Sequence, residues 1–153
     1  MTNLCELEEL IGYKFNNIKL LEEALTHSSY ANEHNLESNE RMEFLGDAVL
    51  ELAMSKHLYS IITLDEGVLT KTRANAVCEG ALDLYASKID LPKFLFLGHG
   101  EELSGGRERP AIIADAFEAV LGAAFLDSGF DSAYHIVEKC IIPYYDSILK
   151  FKD

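Results

Sequence analysis

Residues 39–52, NERMEFLGDAVLEL, carry Glu40, Glu43 and Asp47 at intervals of three and four, with apolar residues between them. Such spacing suits an α-helix, because residues three and four apart share a face while the intervening ones turn toward the core. On a helical wheel Glu40, Glu43, Asp47 and Glu51 fall within roughly 80° of one another. Leu45, Val49 and Leu52 lie away from that face and are expected to form the apolar stripe, with Asn39 as N-cap.

The same periodicity recurs along the chain. Leu4, Leu7, Leu10 and Ile11 predict a first helix stopped by Gly12, and Ile18, Leu21, Ala24 and Leu25 a second, running to about Thr26. The polar stretch 27–39 reads as a loop. Asp65-Glu66-Gly67 opens a helix through about Glu79, with Gly80 beside its end, and another covers 81–88. The main loop is 97–110, followed by helices over 111–129 and 131–149. Alternating strand patterns are essentially absent. The expected fold is therefore all-α, as one domain over 1–153.

Composition narrows the function classes. No window approaches the 18 uninterrupted apolar residues of a membrane-spanning helix, and no signal peptide is visible. Cys5, Cys78 and Cys140 are far apart and lack CxxC spacing, which argues for reduced thiols in a cytoplasmic protein and against zinc or disulfides. Thirteen basic against 26 acidic residues give a net charge of −13, which by itself opposes nucleic-acid binding. A divalent metal would supply positive charge locally.

Asp115 and Glu118 form a second acidic pair at i, i+3, among the small residues Ala111, Ala114, Ala119 and Gly122. Small residues around paired acids suggest a close approach of another backbone. If the two helices face each other, Glu43, Asp47, Asp115 and Glu118 converge. Four crowded carboxylates need compensating charge. Hard oxygen donors without His or Cys favour Mg²⁺ or Mn²⁺ over zinc. A di-iron bundle would need Glu-x-x-His pairs, which do not occur. The residues reach a magnesium-type carboxylate site; they do not reach a substrate.

NERMEFLGDAVLEL resembles the signature of the ribonuclease III endonuclease domain, and the likeness continues through ALTHSSY (24–30), DEGVLTKTRA (65–74) and SGGRERPAIIADAFEAVLGAAFLDSG (104–129). The resemblance implies an all-α homodimer that cleaves double-stranded RNA with Mg²⁺, leaving 5′-phosphate and 3′-hydroxyl ends with short 3′ overhangs. Its metal-binding positions match Glu43, Asp47, Asp115 and Glu118, with Asp47 and Glu118 catalytic, and Mn²⁺ is expected to substitute. Glu40 and Glu66 match two further acids, and Phe44 the aromatic that family members insert into a socket on the partner subunit. Lys71, Arg73, Arg107 and Arg109 are the local basic candidates for RNA phosphates.

Full-length bacterial members carry a double-stranded-RNA-binding domain after a linker that would begin near ILKFKD, so a chain trimmed from a longer protein is expected. The rival readings are a compact ribosomal-RNA maturase of the same chemistry, a dimeric RNA-binding domain that does not cut, and a metal-dependent nucleotide hydrolase. His27 beside Ser28 and Ser29 mimics part of a hydrolase triad, and GHGEEL (98–103) mimics a phosphate loop. The first reads as structural; the second lacks its third glycine, and its two glutamates repel phosphate. Tyr144 and Tyr145 read as packing residues.

Overall fold

The computed structural model describes residues 3–61 and 65–145. The expected helical run beyond 145 lies outside the described residues. The elements are α1 (Leu4–Ile11), α2 (Ile18–Ala24), α3 (Ser28–His34), α4 (Glu40–Ile61), α5 (Glu66–Ala76), α6 (Glu79–Lys88), α7 (His99–Leu103), α8 (Pro110–Ser128) and α9 (Phe130–Cys140), with short 3₁₀ turns at Leu91–Phe94 and Gly106–Glu108. Among the described residues the nearest thing to a sheet is an isolated parallel bridge between Thr26 and Phe96.

Helix α8 is the axis of the fold, because its small and apolar residues let it be surrounded. Ile113, Ala114, Ala116, Phe117 and every residue from Ala119 to Ala124 are buried, and α2, α4, α6 and α9 pack around it. The tightest of these contacts is with α4. A Cβ built on Gly46 would lie 1.7 Å from the Glu118 carbonyl oxygen, and one on Gly122 would lie 2.4 Å from that of Met42. Only glycine fits at either position, so the two backbones touch there. Of the small residues on α8, Ala114, Ala119 and Gly122 are buried, while Ala111 is exposed.

Several expectations change. Leu52 is 58 % exposed and leaves the apolar stripe of α4, which instead runs through Met42, Gly46, Val49, Leu50, Ala53, Met54 and Leu58. Leu45 is only half-buried. Asn39 sits at the N-cap position, its carbonyl accepting from Glu43 N–H at 2.8 Å, but its side chain does not cap. The Asn39 amide is buried and donates to the Ala24 carbonyl at 3.0 Å, tying the start of α4 to the end of α2.

The stretch 27–39 holds α3, which closes on Asn35 in the left-handed conformation. Ser29 Oγ accepts from Gly98 N–H at 2.8 Å and Glu33 Oε2 accepts from His99 N–H at 2.7 Å, so α3 is fastened to the start of α7. The expected long helix from 65 to 79 breaks at Val77–Cys78. Cys78 becomes the N-cap of α6, and Gly80 lies inside it. Tyr145 is buried, as a packing residue should be; Tyr144 is 37 % exposed, with Lys88 Nζ over its ring at 5.5 Å.

Candidate metal centre

Gly46 lies beside Asp47 and three residues from Glu43, and Gly122 lies four residues from Glu118, so the close approach at the two glycines sets how far apart the acid rows stand. Glu43, Asp115 and Glu118 each offer an oxygen within 4.8 Å of the others. Asp47, the next acid along α4, is hydrogen-bonded to Glu118. Glu43 and Asp115 share a hydrogen bond as well. The four acids on the facing rows are thus brought together, through two glycines that carry no chemistry themselves.

Crowding has an electrostatic cost, visible in the protonation of the group. Burial, with Asp115, Glu40 and Asp47 nearby, pushes the Glu43 carboxyl up to about 7. Burial and its neighbours Asp47, Asp115 and Glu43 push Glu118 up to about 9. Asp115 is also raised, chiefly by burial, against the hydrogen bond from Glu43 and the pull of His27. Without a cation the cluster holds protons that ordinary carboxylates would have lost near neutral pH. A hard divalent cation satisfies such a set: the donors are all carboxylate oxygens, and its charge relieves the repulsion.

The remaining sequence candidates are placed as follows. Glu40 is exposed at the start of α4, close enough for its charge to raise Glu43. Glu66 is exposed in the first turn of α5 and is not part of the three-carboxylate group. Glu51, on the same wheel face as the α4 acids, pairs instead with Arg73 at 2.9 Å.

Arg73 also donates to Ser55 Oγ at 2.9 Å. Arg107 spans two main-chain oxygens, Pro92 at 2.7 Å and Leu95 at 2.9 Å, and pairs with Glu102, so its fork holds the loop together. Arg109 pairs with Glu101 and donates to the Ser104 carbonyl at 3.0 Å. Lys71 is exposed on α5. These partners could not be read from local sequence; for Arg107 the carboxylate and the two carbonyls lie 5 to 15 residues away.

Phe44 is 82 % exposed, an unusual position for a phenylalanine on a helix whose next turn is core. It borders a groove of about 730 Å³ whose lining includes Glu37, Met42, Leu45 and Leu126. Leu126, itself 53 % exposed, extends the apolar surface from α4 onto α8. A second cavity, of about 350 Å³, opens between α3, α4 and α8 over Glu43 and Asp115. His27 lines it. Its Nδ1 is bonded to Ser29 Oγ at 2.8 Å, but Ser29 Oγ is also held by Gly98 N–H, so the pair fastens α3.

A family model described as Ribonuclease-III-like matches residues 17–145. This chain belongs to the ribonuclease III family. It is 54 % identical over 141 residues to ribonuclease 3 of Oceanobacillus iheyensis, covering 90 % of this chain and 62 % of that protein. With ribonuclease 3 of Listeria innocua the identity is 48 % over 146 residues, 93 % of this chain and 64 % of the relative. The chain therefore spans a little under two thirds of the length of these relatives. Among solved structures it resembles the nuclease domain of ribonuclease III from Campylobacter jejuni, described for structural flexibility in a region involved in dimer formation. That match has a TM-score of 0.85 at 39 % identity, covering 91 % of this chain and 96 % of that one. A second structure of that nuclease domain gives the same TM-score at 37 % identity. The all-α architecture is the architecture of the family's nuclease domain.

Proposed function

We propose that this chain is the nuclease domain of an enzyme that cleaves double-stranded RNA, and that Glu43, Asp47, Asp115 and Glu118 hold Mg²⁺, or Mn²⁺ in its place. The observation that carries the reading is the convergence of Glu43, Asp115 and Glu118 within 4.8 Å, with Asp47 bonded to Glu118. A bound divalent ion lowers the pKa of water and offsets charge on a phosphodiester. The chain's own part is to hold four carboxylates on two helices that cannot slide apart. Asp47, exposed beside Glu118, orients the attacking water and receives its proton, and Glu118 is held by burial and by Asp47. Products with 5′-phosphate and 3′-hydroxyl ends and short 3′ overhangs follow from two such sites acting on opposite strands.

Two sites require two copies. Phe44, Leu126 and the groove beside them form an exposed apolar surface that suits the self-complementary interface of a symmetric dimer. The dimer-forming region described for the Campylobacter jejuni domain supports the same assembly. Glu40 then adds negative field near the site, Glu66 is a further acid whose role stays with the family match, and Lys71, exposed on α5, is a cation for phosphate contact. With a net charge of −13, the chain alone binds RNA weakly and with strong salt dependence. No described helix is long and apolar enough to cross a membrane, and all three cysteines are free, in keeping with work in the cytoplasm.

The reading is tested by incubating a long, perfectly paired RNA with the protein at low salt, with Mg²⁺ and then with chelator, and mapping the ends. Mg²⁺-dependent cuts on both strands, offset by a short 3′ overhang, support it. Cutting confined to a ribosomal-RNA segment would favour a maturase. RNA binding without any cut would make this a binding domain, and hydrolysis of free nucleotides alone would overturn the substrate class.

A further inference from the structure

The His27 ring is fixed in one tautomer by its surroundings. The Ser29 backbone N–H points at Nδ1 at 3.1 Å. A main-chain N–H can only donate, so Nδ1 accepts and the ring proton of the neutral imidazole sits on Nε2. Ser29 Oγ, which accepts from Gly98 N–H, turns its own proton to the same Nδ1 at 2.8 Å. Among the described residues, Nε2–H has no acceptor.

The backbone beneath this ring is held on both sides. His27 N–H donates to the Phe96 carbonyl at 3.1 Å, and Phe96 N–H to the Leu25 carbonyl at 2.9 Å. On the other side, Asn39 N–H donates to the Thr26 carbonyl at 2.9 Å. His27 lines the 350 Å³ cavity together with Glu40, Glu43 and Asp115, and with Nδ1 taken by the cap, Nε2 is the polar atom of the ring left to serve it. Every other titratable group lining this cavity is an acid, and Ser28 and Asn39 complete its polar lining.

We propose that His27 is a substrate-positioning residue: its Nε2–H donates a hydrogen bond to a non-bridging oxygen of the scissile phosphodiester, seating it against the Glu43–Asp115 side of the cluster. This rests on the nuclease reading above. In that reading the phosphate is the one anion that must enter a cavity lined by carboxylates, and an N–H held in place by its own cap orients it without competing for the metal.

Two substitutions separate this role from the capping of α3. In His27→Asn the amide oxygen takes the place of Nδ1 and still caps Ser29, because Asn is a strong N-cap, but the donor at Nε2 is gone. In His27→Gln the amide nitrogen can replace Nε2–H while the cap is lost. The assay is single-turnover cleavage of duplex RNA with Mg²⁺, together with Mg²⁺ affinity, RNA affinity in Ca²⁺ and melting temperature. His27→Asn is expected to keep its melting temperature and both affinities while its rate falls roughly 10²-fold. His27→Gln is expected to melt lower yet cut faster than His27→Asn. A wild-type rate in His27→Asn, or rates that simply follow melting temperature in both, would overturn the proposal and leave the nuclease reading standing. Absence of cleavage by the wild-type protein would overturn both.

Discussion

Gly46→Ala puts the geometric basis of the candidate metal centre to the test. The added Cβ would lie 1.7 Å from the Glu118 carbonyl oxygen, short of ordinary contact by roughly 1.8 Å. That oxygen belongs to the backbone of α8 and cannot rotate away, so α4 and α8 must separate or bend. Overpacking typically costs about 1–3 kcal/mol, sometimes more. Alanine's better helix propensity returns at most about 1 kcal/mol. A net loss of about 2 kcal/mol lowers the melting temperature by roughly 4–8 °C in a chain of this size. Separation also draws Glu43 and Asp47 away from Asp115 and Glu118, so Mg²⁺ affinity should fall at least about tenfold, or about 1.4 kcal/mol.

Calorimetry with and without Mg²⁺, and Mg²⁺ titration, read both effects. Gly80→Ala is the control: its Cβ would meet nothing within 4 Å, and it should be neutral or slightly stabilising. Gly46→Ala with unchanged melting temperature and unchanged Mg²⁺ affinity would refute the claim that this contact spaces the carboxylates.

Further outcomes follow from other parts of the molecule. The carboxyl groups of Glu43, at about 7, and Glu118, at about 9, lie above their unfolded values, so the folded metal-free protein binds more protons than the unfolded chain. Its stability should fall as pH rises from about 4.5 through 9. Glu118→Gln should flatten the upper part of that fall, and a metal-free melting curve that does not vary with pH would contradict it. Arg107→Ala removes donors to Pro92, Leu95 and Glu102, leaving main-chain oxygens unmatched, and should cost about 1–3 kcal/mol by chemical denaturation; an unchanged midpoint would remove its structural role. Phe44→Arg should give monomers by light scattering with little change in the monomer's fold, since Phe44 is 82 % exposed; an unchanged dimer would exclude this surface as the interface.

The sequence foretold the acid rows better than the packing that joins them. Glu43, Asp47, Asp115 and Glu118 follow helical spacing, and the small residues beside Asp115 marked a close approach. Gly46 was the hidden half of that approach. By hydropathy it is unremarkable, and the periodicity puts the apolar stripe on Leu52, which the structure leaves in solvent because α4 turns its glycine face to α8. Helix α3 went unseen because SSYANEH has almost no apolar face: only Ala31 is buried, and the helix depends on bonds to residues near 98. Arg107, a candidate for RNA phosphates by sequence, is engaged instead by the Pro92 and Leu95 carbonyls and by Glu102. His27 reads by sequence as a structural loop residue, and nothing in local sequence shows that one ring nitrogen is consumed by a cap on a residue that lines the cavity.

The central claim is that the converging carboxylates form a metal centre that cuts duplex RNA. Its most direct test is Glu118→Gln against the wild-type protein, following cleavage of one long duplex at saturating Mg²⁺ alongside RNA binding in Ca²⁺ and melting temperature. The account predicts a folded variant that binds RNA as the wild type does and has lost most cleavage. Undiminished cleavage by Glu118→Gln would contradict it.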